Sequence, residues 1–278
     1  MIRSEAFLRA YKVFPHRAIN RAAASIARLR RPAWLVSRAV TWWVHKDRID
    51  MSDFESPHFE SLEHFFLRRL RPGSRPLSGG LMSPVDGCVV GVGALGQGTM
   101  LQVKGSSLSI DRLINGRGLH DLPGGALSGG RYMTLFLRPR GYHFVHAPLD
   151  GTLVDARWIP GRFFPQNEDA LLHIPRIYER NERVVLRLRP HDLNADMLLV
   201  MVGASVIGGI HVKGVEYLRK PGAISIGRPV AKGEEIGHFS FGSTVVLLLP
   251  EGMIGEPLVS LGQEMLLGQA LAPLPGLP

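Results

Sequence analysis

Residues Ser83 to Val90 read SPVDGCVV, and the pattern returns at Ala147 to Val154 as APLDGTLV. Both are small-Pro-apolar-Asp-Gly-x-apolar-Val. Proline fixes its own φ and opens a turn, aspartate bonds nearby backbone, glycine is expected at positive φ, and the valines favour a strand. A duplicated turn-and-strand unit predicts two similar hairpins closing one barrel. The surrounding sequence agrees: CVVGVG, RYMTLFL, TLVDARWI, RVVLRLR, MLLVMVGASVIGGI and TVVLLL are short strand-like runs between residues 81 and 250. Gly and Pro separate them, and no long helical periodicity intervenes. The expected fold class is mostly β (α+β), a β-barrel domain preceded by N-terminal amphipathic helices.

The chain has 278 residues, 45% hydrophobic and 21% charged, enough for one sizeable core plus an appendage. A single cysteine, Cys88, cannot form an intrachain disulfide and reads as a core residue. The net charge of +9 is concentrated: residues 1–50 hold 11 Lys/Arg against 3 Asp/Glu, leaving 22 against 21 in the other 228. The same segment carries Trp34, Trp42 and Trp43, three of the four tryptophans. Residues 1–50 are therefore read as a basic, Trp-rich helical segment and 51–278 as the β-rich domain.

Within the first segment, INRAAASIARL from Ile19 is rich in helix formers. A second helix starts with Pro32 in its first turn and groups Leu35, Val36, Ala39, Val40, Trp43 and Val44 on a broad apolar face. No uncharged apolar run reaches membrane-spanning length, and no secretory signal is present. Basic residues beside tryptophan suit a helix lying on an anionic bilayer surface. Packing on the domain is the alternative, and the absence of a basic-aromatic recognition motif disfavours nucleic acid.

Two features carry candidate chemistry. His143 and His146 lie three residues apart in GYHFVHAP. In an extended segment they point to opposite faces, and no Cys or acidic ligand stands at a regular spacing, so no metal site is expected. In FGSTVVLLLP, Gly242-Ser243 precedes a run of strand formers. By itself that junction is a turn feeding a core strand.

Taken in order, FFLRRLRPGSRP, SPVDG, YHFVHAPLDG, NERVV, VGASVIGGI and KGEEIGHFSFGSTVVLL resemble the phosphatidylserine decarboxylases, self-processing pyruvoyl enzymes, over Phe65 to Pro250. The resemblance implies a zymogen cleaved between Gly242 and Ser243 into a β chain of 1–242 and an α chain of 243–278 that stay associated. It implies Asp86, His146 and Ser243 as a charge-relay set. Ser243 becomes the pyruvoyl cofactor, which forms a Schiff base with the amine of phosphatidylserine, and His146 protonates the carbanion left when carbon dioxide departs. His143 is placed near the substrate. Where the family often has a basic residue between the histidines, this chain has Phe144, which removes a local contact to a headgroup. NERVV, from Asn181, is read as structural. Peripheral attachment to the cytoplasmic face of the inner membrane follows, and a homodimer is left open.

The duplicated motif also resembles strand starts of biotinyl/lipoyl hybrid barrels, so a hybrid-barrel-like domain is expected and a non-enzymatic carrier is the rival. A carrier predicts an intact chain and a modified lysine, for which Lys104 lacks the Met-Lys-Met setting. Further rivals are a pyruvoyl enzyme for a soluble amino acid and a relative taking another serine phospholipid.

Overall fold

The computed structural model describes residues 16–55, 58–96, 99–101, 107–114, 127, 129–166, 168–204, 209–216, 218, 222–240 and 243–276. Gly242, Lys104 and the centre of VGASVIGGI fall outside them. Helices α1 (His16–Ala27), α2 (Ala33–Asp47) and α3 (Leu62–Phe66) come first. There follow β1 (Leu81–Met82), β2 (Gly87–Ala94), β3 (Thr99–Leu101), β4 (Ser107–Ser109), α4 (Ile110–Ile114), β5 (Arg131–Leu137), β6 (Phe144–His146) and β7 (Gly151–Ile159). After α5 (Glu168–His173) and α6 (Ile177–Arg180) come β8 (Arg183–Pro190), β9 (Met197–Gly203), β10 (Ile210–Val212), β11 (Ala223–Val230), β12 (Glu235–Phe239), β13 (Ser243–Leu249), β14 (Glu264–Met265) and β15 (Ala270–Ala272).

The molecule is mostly β. An eight-stranded antiparallel sheet runs β11-β7-β8-β9-β13-β5-β2-β14, and a three-stranded sheet runs β10-β12-β6. Two short ladders, β1-β15 and β3-β4, accompany them. The run TVVLLL is apolar throughout because β13 is buried on both faces. Val245, Leu247 and Leu249 enter one core with Met133 and Leu135 of β5, Leu199 of β9 and Val145 of β6. Val246 and Leu248 enter a second core with Tyr132, Leu198, Val200 and Phe164. A strand with two apolar faces shows no alternation in sequence.

The expected closed barrel is not formed among the described residues. Closure requires the outer strands to share a ladder, whereas β11 pairs with β7 and β14 pairs with β2. Residues of β11 alternate between exposed and half-buried until Val230, and the strand carries Pro229, both marks of a solvent-facing edge. The duplicated motif does start two strands at glycine, Gly87 and Gly151, but four strands separate β2 from β7. Neither glycine has positive φ. Their requirement is close backbone approach: a Cβ at 151 would stand 2.4 Å from the Arg189 carbonyl oxygen, and one at 87 would stand 3.1 Å from that of Phe136.

Pro32 caps α2 instead of lying within it. Val36 and Val40 are buried with Ile49, Phe59 and Phe65, and Trp43 and Val44 pack against them. Leu35, expected on the same face, is exposed, as are Trp34 and Trp42.

Candidate active site

Ser243 is the first residue of β13, paired with Leu137 on one side and Gly203 on the other. The register is unbroken along β13, so Ser243 shares the face of Val245 and Leu247, toward the core that holds Val145 and Phe239. It is fully buried, and its hydroxyl has no hydrogen-bond partner among the described residues. An orphaned buried hydroxyl costs about 1–3 kcal/mol and asks for an explanation.

The opposite face explains how the serine is held. Thr244 Oγ1 donates to Gln166 Oε1 at 2.6 Å, and Gln166 Nε2 donates to the Gly203 carbonyl at 2.9 Å. Asn181 Nδ2 also reaches that carbonyl at 2.9 Å and the Phe164 carbonyl at 2.8 Å. Arg183 donates to the carbonyls of Leu113, Asn181 and Arg112. NERVV thus braces backbone around Gly203, the residue paired with Ser243. Gln166 and Thr244 were not singled out from sequence; a buried glutamine in a loop gives no periodic signal.

Asp86 immediately precedes β2. Its carboxylate receives two bonds from Arg75, Nε to Oδ1 at 3.1 Å and Nη2 to Oδ2 at 2.7 Å, and a third from the Leu267 amide at 2.7 Å. Both side chains are about nine-tenths buried or more, at 8% and 10% exposure. Arg75 Nη1 also reaches Asp53 at 2.6 Å. Burial opposes the Arg75 charge, but the two carboxylates outweigh it and hold the guanidinium above its ordinary range.

His146 ends β6, its amide bonded to the Pro84 carbonyl at 2.9 Å, which joins it to the Asp86 turn. Nδ1 lies 2.7 Å from the Gly233 carbonyl and Nε2 lies 2.9 Å from the Tyr142 hydroxyl. A carbonyl can only accept, so Nδ1 carries the proton and Nε2 is the basic nitrogen. Burial lowers the His146 pKa, against the Gly233 bond and the charges of Glu235 and Asp86, while Arg69 lowers it further.

His143 is fully buried and stacks on Phe66 at 3.8 Å. Burial pushes its pKa down to about 3, with Arg68 acting in the same sense and the carbonyls of Arg138 and Pro139 opposing. Its ring nitrogens lack well-formed bonds, so the carbonyls act on it only weakly. Arg68, itself lowered to about 10 by burial against the pull of Asp86, donates to the carbonyls of Arg140 and Gly141. It fixes the turn before both histidines. Phe144 lies under the Arg69 guanidinium, 4.5 Å from the ring centre.

Asp86 and Ser243 both adjoin the end of β5, through Gly87 against Phe136 and through the Ser243–Leu137 pair, and His146 joins the Asp86 turn through the Pro84 carbonyl, yet no side-chain hydrogen bond joins any two of the three. Arg75 and Leu267 occupy the aspartate, and Tyr142 and Gly233 occupy the histidine. Val145 enters the core beneath β13, whereas Phe144 clusters with Tyr142, which leaves His146 on the Tyr142 side of β6. Among the described residues no group of three or more His, Cys, Asp or Glu is arranged to hold a metal.

Comparison with known proteins gives the family. The chain is 36% identical over 247 residues to the phosphatidylserine decarboxylase proenzyme of Brevibacillus brevis, covering 84% of this chain and 87% of that one. It is 31% identical over 282 residues to the proenzyme of Ectopseudomonas mendocina, covering 95% and 96%, and 33% identical over 252 residues to that of Stutzerimonas stutzeri, covering 85% and 83%. The sequence model for phosphatidylserine decarboxylase matches residues 62–273, from α3 through β15, and the chain belongs to the phosphatidylserine decarboxylase family.

Proposed function

We propose that the chain is a self-processing decarboxylase that converts phosphatidylserine to phosphatidylethanolamine and carbon dioxide, with Ser243 as the precursor of a pyruvoyl group. The observation that carries this is the Ser243 hydroxyl, buried, unpartnered among the described residues and held at the head of the strand between β5 and β9. A residue destined to change its chemistry gains nothing from a permanent hydrogen bond, and a doubly paired strand supplies the fixed geometry.

In the precursor, Ser243 Oγ attacks the Gly242 carbonyl. The C–O bond forms, the C–N bond breaks, and the hydroxyl proton passes to the freed amine by way of His146 Nε2. Asp86 favours the imidazolium through its charge. Removal of the Ser243 Cα proton expels the Gly242 carboxylate and divides the chain into 1–242 and 243–278, and the dehydroalanine left at 243 becomes an imine that water hydrolyses to the pyruvoyl group with release of ammonia. The pyruvoyl group, once present, supplies an electron sink for loss of carbon dioxide. Around it, Gly203 and Leu137 hold the backbone, and His146 is the proton donor.

The two pieces have reason to stay together. β13 remains between β5 and β9, β14 on β2 and β15 on β1, and Leu267 still donates to Asp86. For the lipid, Ile26, Leu29, Trp34, Leu35 and Trp42 face outward beside Arg30, Arg31 and Arg38. Such a surface suits the interface of an anionic membrane, and no described helix is long and apolar enough to cross one. We place the enzyme peripherally on the cytoplasmic face of the inner membrane.

Intact mass measurement on an active preparation tests the reading. Two fragments dividing at 242/243, with a blocked amino terminus on the smaller, are expected, and Ser243→Ala yields one full-length mass and no carbon dioxide from phosphatidylserine vesicles. Activity from an undivided chain would overturn it.

A further inference from the structure

We propose that Tyr142 is the positioning residue of His146: with the Gly233 carbonyl holding the proton on Nδ1, its hydroxyl donates to neutral Nε2 and accepts a hydrogen bond in return once Nε2 is protonated. The inference rests on the self-processing role proposed above. It concerns a residue that the charge-relay scheme leaves out.

Three observations converge. The imidazole is gripped at both nitrogens, by the Gly233 carbonyl at 2.7 Å and by the Tyr142 hydroxyl at 2.9 Å, whereas Asp86 makes no bond to it. The orienting task usually given to a carboxylate is therefore met by a carbonyl and a phenol. The phenol is itself fixed: Tyr142 is 4% exposed and its ring stacks on Phe144 at 5.1 Å. Finally, a hydroxyl can reverse its role. It donates to neutral Nε2 and, after turning its hydrogen away, accepts from Nε2–H. A carbonyl in its place would bind only the protonated form.

The charged groups facing this pair are Glu235 from β12, Asp86 from the turn before β2, and Arg69 from the segment after α3, with Arg75 also acting on the phenol. Burial holds the Tyr142 hydroxyl protonated well above its ordinary range, with Glu235 and Asp86 adding to the effect and Arg69 and Arg75 opposing it. Tyr142 therefore serves as a neutral partner. Charged hydrogen bonds are stronger than neutral ones, so the hydroxyl stabilises the imidazolium more than the neutral ring.

The test follows self-cleavage of the full-length precursor across pH for wild type, Tyr142→Phe and a chain with 3,5-difluorotyrosine at 142. Cleavage needs neutral Nε2, so its rate rises with pH through the His146 titration. Tyr142→Phe is expected to lower the plateau about tenfold, the scale of one lost hydrogen bond, and to move the rising limb to lower pH because the imidazolium has lost its acceptor. The fluorinated ring, a poorer acceptor that preserves the packing, moves the limb in the same direction by less. An unchanged profile, a lower plateau with an unmoved limb, or faster cleavage would each overturn the assignment. A wild-type chain that never divides instead refutes the decarboxylase reading beneath it.

Discussion

Asp86 and Asp150 occupy the same place in two copies of one motif, each one residue before the glycine that starts a strand, and their fates diverge. Asp86 is buried and takes three hydrogen bonds, two from Arg75 and one from Leu267. Asp150 is exposed and its carboxylate accepts from the Lys232 amide at 2.8 Å. The local pattern selects a turn in both cases. What separates the two aspartates is an arginine 11 residues away and a segment contributed by the C-terminal part of the chain.

The sharpest way to break this comparison is to remove the arginine. Arg75→Ala leaves a buried carboxylate without its cation and is expected to cost about 3–5 kcal/mol, read as a drop in urea midpoint; a loss under about 1 kcal/mol, the scale of an exposed pair, would place Asp86 with Asp150. Next come the two glycines. Gly151→Ala meets a backbone oxygen at 2.4 Å and Gly87→Ala one at 3.1 Å, so the first should destabilise by roughly 1–3 kcal/mol and the second by less. Equal losses would show that both sites relax alike.

Acid sharpens the contrast, because only the Asp86 side adjoins buried histidines. The His143 pKa falls from 6.5 to about 3 in the folded chain, and that of His146 is lowered too. Between those values the unfolded chain binds a proton that the native state does not. Stability should therefore fall as pH drops below about 6.5, by up to about 1.4 kcal/mol per pH unit for each such group. Urea midpoints measured from about pH 7 to 4 check this across the histidine range, and His143→Phe, which keeps the stack on Phe66, should flatten the slope. The smallest effect belongs to Asp150→Asn, expected within about 0.5 kcal/mol and without change in chain division.

Six of the eight strands of the large sheet were legible because each is a short apolar run with Gly or Pro at an end: β2, β5, β7, β8, β9 and β13 all coincide with runs read from sequence. β6 and β12 were not, since such short segments with histidines at intervals carry no period. Barrel closure failed as an expectation because a repeat specifies two similar turns and says nothing of how many strands lie between them. Glycine likewise has two uses, positive φ and close approach, and one sequence cannot distinguish them. At the site, Asp86, His146 and Ser243 stood out through family motifs, whereas Gly233 meets His146 across 87 positions, and Arg75 and Tyr142, 11 and 4 positions from their partners, stand at no spacing that a helix or strand period would single out.

The position of β13 has a consequence for timing. Its partners, β5 and β9, come from far back in the chain, and pairings of such long range are slow to close during folding. The surroundings of Ser243 exist only once that closure is complete. A half-folded chain holds Ser243 without its two strand partners, so under the proposed self-cleavage folding keeps the order of events: assembly first, scission after.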